Sequence, residues 1–179
     1  MFTFKAVKRE LPEGSGLLKK GLHAVEIATA SFKLVNNNSE VFADQTPQIE
    51  VQYKGDGGVI NQWFNLKGYM NIDDLADGEG IPEGYEIRST GKGRAENYIV
   101  SIANNTRLEN PDKTAKGVEI FQNFLFDIGV SDMDTDSLYK LVGIQMGVMV
   151  DEKDGKVHVK FPCSTERLAE LKAKASAVA

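Results

Sequence analysis

Apolar side chains recur at every second position through residues 21–35. Val25 and Ile27 alternate with Ala24, Glu26 and Ala28, and further on Phe32 and Leu34 alternate with Ser31 and Lys33. Successive side chains of a strand point to opposite faces, so period two over such a length predicts one long strand. A bend or bulge near Thr29–Ser31 would carry the change of phase between its halves. Asn36-Asn37-Asn38-Ser39 then offers the polar turn formers that end it.

The same alternation marks a hairpin. Ile49, Val51 and Tyr53 share one face of a strand, and a second strand runs from Val59 to Leu66, with Lys54-Gly55-Asp56-Gly57-Gly58 between them. Glycine enters positive φ cheaply, which suits that turn. Trp63 and Phe64 are adjacent in the second strand and must face opposite ways, so at most one of them joins the core.

From Lys67 to Glu96 the period is lost. The stretch is rich in glycine (Gly78, Gly80, Gly84, Gly91, Gly93) and acidic (Asp73, Asp74, Asp77, Glu79, Glu83), and reads as a long insertion serving binding or remaining mobile. Tyr98–Ile102 returns to strand character. A helix is predicted over 115–128 from the stripe Val118, Phe121, Leu125 and Ile128, widened by Phe124, with Thr114 or Asp112 as cap and Gly129 just past its end. A short helix over 137–142, started by Asp136, two strands over 145–150 and 156–161, and a terminal helix from Thr165 with a frayed tail to Ala179 complete the order. The expectation is a mainly β chain with helices, a single domain over 1–179. Its centre is a five-stranded, partly open barrel with an insertion at 67–96 before the central helix and a terminal helix at 165–179. A decorated β-sandwich is the rival.

Composition narrows the function by exclusion. With 41% hydrophobic and 26% charged residues the chain reads as globular, and no stretch approaches the roughly 18 apolar residues of a membrane span. The start, Met1-Phe2-Thr3-Phe4-Lys5, lacks the apolar core of a secretory signal. One cysteine, Cys163, forms no internal disulfide and fits an intracellular, inert thiol. His23 and His158 have no neighbouring cysteine or second histidine at zinc-site spacing. Gly91-Lys92-Gly93-Arg94 lacks the full phosphate-loop spacing, and no nucleophile elbow or metalloprotease helix occurs. Asp73, Asp74, Asp77 and Glu79 invite a two-metal nuclease reading, but a solvated loop is the simpler account; Asp132-Met133-Asp134-Thr135-Asp136 resembles a calcium loop in charge alone. Neither a catalytic set, a metal nor a cofactor is expected.

Binding has more to draw on. A single-strand surface needs aromatic platforms for bases and cations for phosphates. Tyr53, Lys54, Trp63, Phe64, Lys67 and Tyr69 supply both at the hairpin and its exit, and Arg88, Lys92, Arg94, Arg107 and Lys113 add cations along the long loops. The net charge of -5 is adverse, but binding responds to the local field.

In order, Gly21-Leu22-His23-Ala24-Val25-Glu26-Ile27, Ile49–Tyr53 with its glycine turn, Trp63-Phe64-Asn65-Leu66, Phe121–Gly129, Leu141–Val148 and Val157–Phe161 resemble the small single-stranded DNA-binding proteins of bacteriophages, which use an oligonucleotide-binding (OB) barrel. The resemblance spans residues 21–161. It implies sequence-nonspecific coating of single strands in phage replication or recombination, in the host cytoplasm. The partners implied are single-stranded DNA, replication or recombination proteins and, among the assemblies it allows, a homodimer, with no membrane. Many members end in an acidic tail; this chain ends Leu171-Lys172-Ala173-Lys174-Ala175-Ser176-Ala177-Val178-Ala179, which puts recruitment by that route in doubt. The alternatives are a phage assembly protein with a self-associating β module, expected to hold Trp63 or Phe64 in a subunit interface, and a carboxylate-dependent nuclease.

Overall fold

The computed structural model describes residues 16–90 and 96–178. Alternation does produce the long first strand, β1 (Gly21–Asn38), which pairs antiparallel with β2 (Ala43–Gly55). The register shifts between Ile27 and Thr29, so Ala28 is a bulge. An extra residue reverses the facing of all that follows. Val25 and Ile27 therefore point to the core before the bulge, and Ala30, Phe32 and Leu34 take over that face after it. The asparagine run does not end the strand: Asn36 and Asn37 still pair with Gln45 and Asp44, and their side chains hydrogen-bond across the ladder.

β3 (Gly58–Asn65) returns from β2 through Asp56-Gly57. Gly58 sits at φ 140, and a Cβ there would lie 1.8 Å from the Gly16 carbonyl oxygen, so only glycine lets residues 16–18 run alongside β3. After the insertion come β4 (Tyr85–Ser89), β5 (Asn97–Ser101), α1 (Pro111–Asp127), a 3-10 turn (Leu138–Leu141), β6 (Gln145–Lys153), β7 (Lys156–Cys163) and α2 (Thr165–Val178). The β6–β7 turn is Asp154-Gly155, both at positive φ as a tight right-twisted hairpin requires.

The chain is mainly β with two α-helices. Its main sheet has the order β3-β2-β1-β6-β7, and β4 and β5 form a separate two-stranded sheet. The main sheet is open: no ladder joins β3 to β7 among the described residues. α1 packs against both of these edge strands, setting Phe121 and Phe124 on Phe64, and buries Leu125 in the same core. Gly117 permits that approach, since a Cβ there would lie 2.2 Å from the Asn65 carbonyl oxygen. The core also takes Tyr53, Ile60, Leu138, Leu141, Met146, Val148 and Val150. α2 covers the far side of β6, with Leu168 against Gly147 and Cys163.

Several sequence expectations are corrected. α1 begins at Pro111, four residues early, and its cap is Asn110, whose side chain accepts the Asp112 and Lys113 N–H groups. Val118 lies outside the buried stripe. The 3-10 turn follows a loop held by Asp134, not Asp136, through the Asp136 and Ser137 N–H groups. In β7 the register skips Lys160, so Phe161 leaves the face of Val157 and Val159. The 67–96 insertion is not structureless. It holds a 3-10 turn at Ile72–Asp74 and β4, and β5 buries Ile99 and Val100 completely.

Candidate nucleic-acid interface

The register of β1, β2 and β3 fixes what lies on the sheet face turned away from the core. Glu26, Lys54 and Val59 form one cross-strand row; then come Thr29, Gln52 and Asn61; Ser31, Glu50 and Trp63; Lys33, Gln48 and Asn65. The face is rich in amides and carries a single aromatic ring. Trp63 is 56% exposed while Phe64 is 3% exposed, the opposition that adjacency in a strand demands. The Trp63 indole N–H donates to Glu50 Oε2 at 2.8 Å, and Lys33 Nζ lies 3.1 Å from Glu50 Oε1. The Trp63 hydrogen bond and, second, Lys33 hold the Glu50 carboxyl below its usual value.

Past the end of β3 this face runs into a polar cleft of about 380 Å³, bounded by Asn37, Gln48, Asn65, Lys67, Tyr98 and Lys113 among others. The segment from Leu66 to Arg107 forms its wall by lying along the edge of β2: Leu66 N–H donates to the Pro47 carbonyl and Ala43 N–H to the Asn105 carbonyl. Arg107 clamps the two together. Its Nε and Nη2 donate to the two Asp44 oxygens at 2.8 and 2.9 Å, and its guanidinium lies 3.6 Å from the Tyr69 ring centre and 4.0 Å from that of Phe42. Burial would raise the Asp44 carboxyl, but the Arg107 hydrogen bonds outweigh it and, with Asn37, hold it below its usual range. Tyr69 shares its hydroxyl with Thr46 and donates to the Gln45 carbonyl.

These contacts sort the residues singled out from the sequence. Tyr53 and Phe64 are core, and Tyr53 donates its hydroxyl to Gln62 in a setting whose burial pushes that hydroxyl far above the ordinary phenol value. Neither offers a face to a base. Tyr69 and Arg107 are a buried clamp, and Arg88 pins β4 to the β1–β2 loop by donating to the Val41 carbonyl and Asn105 while pairing with Glu86. Trp63, Lys54 and Lys67 do reach the surface, with Lys67 3.4 Å from Glu109. Lys92 and Arg94 lie outside the described residues. The reading along the chain missed Lys33 and the amide rows. Period two puts Lys33 on a face, but only the cross-strand register places it on the far side of Glu50 from Trp63.

The acidic stretch is occupied with its own backbone. Asp74 accepts the Asn71 N–H and a Lys113 ammonium hydrogen, and Glu79 accepts the Ala76 N–H. Among the described residues no three His, Cys, Asp or Glu side chains converge to hold a cation. Cys163 is buried, which raises its thiol. Among the described residues no helix is long and apolar enough to cross a membrane. No family model matches the chain, and no curated protein matches it.

Proposed function

We propose that this chain is a non-catalytic single-stranded DNA-binding protein of OB-like architecture, taking the strand across the β1–β2–β3 face. The observation that carries the reading is Trp63, a large ring left open on the edge strand of an amide-rich sheet face, with Glu50 between it and Lys33. OB barrels bind oligonucleotides on the face of their second and third strands and on the flanking loops. Here β2 and β3 supply that face, α1 lies between the third and fourth strands of the main sheet, and Lys153 and Lys156 flank the β6–β7 turn. Closing β3 on β7 would complete the barrel. Amides and a stacking ring serve any base, so the preference is for single strands and not for sequence. The resemblance to phage proteins adds replication or recombination in a host cytoplasm as the setting.

The cleft supports a second reading as an assembly module. Its cations Lys67, Arg107 and Lys113 each face a carboxylate, respectively Glu109, Asp44 and Asp74, which competes with phosphate.

One titration separates the two. Trp63 is the sole tryptophan, so its fluorescence reports directly on stacking. Oligo-dT should quench it, with affinity falling as salt rises at about 0.7 per phosphate neutralised in the log-log slope. Trp63→Ala, which removes that reporter and is followed with end-labelled oligo-dT instead, should weaken binding by about 1–3 kcal/mol, roughly 5- to 150-fold. Absence of both quenching and binding at low salt abandons this reading for the assembly module.

A further inference from the structure

β1 is paired along both edges for only part of its length. β6 matches Gly21–Glu26, and the Ile27 N–H and C=O close that side on Ile144 and Gly143. From Thr29 to Asn38 the strand pairs with β2 alone, and among the described residues its other edge makes no backbone hydrogen bond. The β2 side of this arm is treated differently, since Leu66, Asn105 and the Arg107 clamp cover it. An open edge presents a row of unmatched N–H and C=O groups, which proteins usually blunt with charge, proline or a bulge. Residues 29–38 contain no proline and one charge, Lys33, already drawn to Glu50 on the neighbouring strand. Phe32 and Leu34, 40% and 53% exposed, stand on one face of this open arm.

We infer that the occupant of this edge is a second copy of the same chain, joined β1 to β1 about a two-fold axis at Leu34. Two antiparallel strands related by a two-fold normal to the sheet keep their faces, so the axis must pass through a residue that opposes itself. An axis at Lys33 sets two like charges opposite each other, which is destabilising. An axis at Phe32 runs the partner's end back to Ile27, where Gly143 and Ile144 already hold the edge. An axis at Leu34 uses nearly the whole open length. It sets Leu34 against Leu34, Phe32 against Asn36, Lys33 against Val35 and Ser31 against Asn37, with no like charges meeting. This inference is independent of what the sheet face binds.

The test is cross-linking together with mass. The native thiol Cys163 is buried, so one added surface cysteine reports alone. Opposed residues have Cα atoms about 4.5–5.5 Å apart, within disulfide range, whereas diagonal neighbours are about 7–8 Å apart, beyond it. Leu34→Cys should therefore form a disulfide dimer on mild oxidation and Lys33→Cys should not. The full chain should sediment at about twice 19.7 kDa at tens of micromolar, and Leu34→Lys, folded by circular dichroism, should raise the dimer dissociation constant at least tenfold. A native mass near 19.7 kDa overturns the inference. So does a dimer that Leu34→Lys leaves intact, or equal cross-linking by the two cysteine variants.

Discussion

Glu50 sits where two demands meet. It holds the Trp63 indole by its edge and neutralises Lys33, so it orients the ring while presenting a negative charge on the face proposed for a polyanion. A unit charge about 7 Å from a phosphate in a water-like medium opposes it by roughly 0.6 kcal/mol. Glu50→Gln keeps an acceptor for the indole and removes the charge. It should raise oligo-dT affinity about threefold at low salt, a gain that fades as screening increases; unchanged or weaker binding would place the phosphates away from this row. Arg107 is a different kind of residue. Its side chain is 8% exposed and that of Asp44 7%, and Arg107→Met takes both guanidinium hydrogen bonds from that buried carboxylate, leaving it only Asn37 and a backbone N–H. Removing one partner of a buried pair costs about 3–5 kcal/mol, or roughly 6–20 °C in melting temperature for a chain of this size. The pH dependence has a definite sign. Asp44 has a folded-state value below 3.8, so it adds stability above that pH and loses it as acid carries the solution down through the depressed value. In Arg107→Met the guanidinium's share of the depression is lost while Asn37 and the residue-107 N–H keep theirs, so melting temperature should respond to acid over a somewhat higher pH range.

Elements that bury one face were legible from the sequence, and elements held by other contacts were not. β3 and the second half of β2 have clean alternation and appear where it predicts them, whereas β2 starts at Ala43, six residues before the predicted Ile49, in a polar stretch held by pairing with the end of β1. β4 has exposed residues on both faces, and its place comes from pairing with β5 and from Arg88, neither of which leaves a period in the chain. The start of α1 was misplaced because Pro111 looks like a loop residue, although proline is favoured in the first turn, where its missing N–H costs nothing. Trp63 was readable as one of two opposed rings. That it is the open one depends on α1 docking against Phe64, a tertiary fact. The docking hangs on Gly117. Alanine there would favour the isolated helix by about 1 kcal/mol, yet its methyl group would meet the Asn65 carbonyl. Gly117→Ala should therefore destabilise the fold by about 1–3 kcal/mol in denaturant titration, the usual cost of overpacking. A stabilised variant would mean that α1 stands further from β3 than described.

At the level of the whole molecule, sheet faces and sheet edges carry separate roles. A two-fold normal to the sheet at Leu34 leaves the two β1–β2–β3 faces on the same side, so two proposed strand tracks become parts of one surface. A short oligonucleotide engages one track and gains nothing from the pairing. One long enough to cross the axis binds the second track as an intramolecular event, at an effective concentration that reaches the millimolar range for short connections. The ratio of long- to short-oligo-dT affinity should therefore be at least tenfold larger for the native chain than for Leu34→Lys, measured by Trp63 quenching at one salt concentration. Short-oligo affinity should differ little between them, because Leu34 faces away from the Trp63 row. If both lengths weaken together, position 34 lies on the strand's own path; if the ratio is the same in both proteins, the tracks are not joined across this axis.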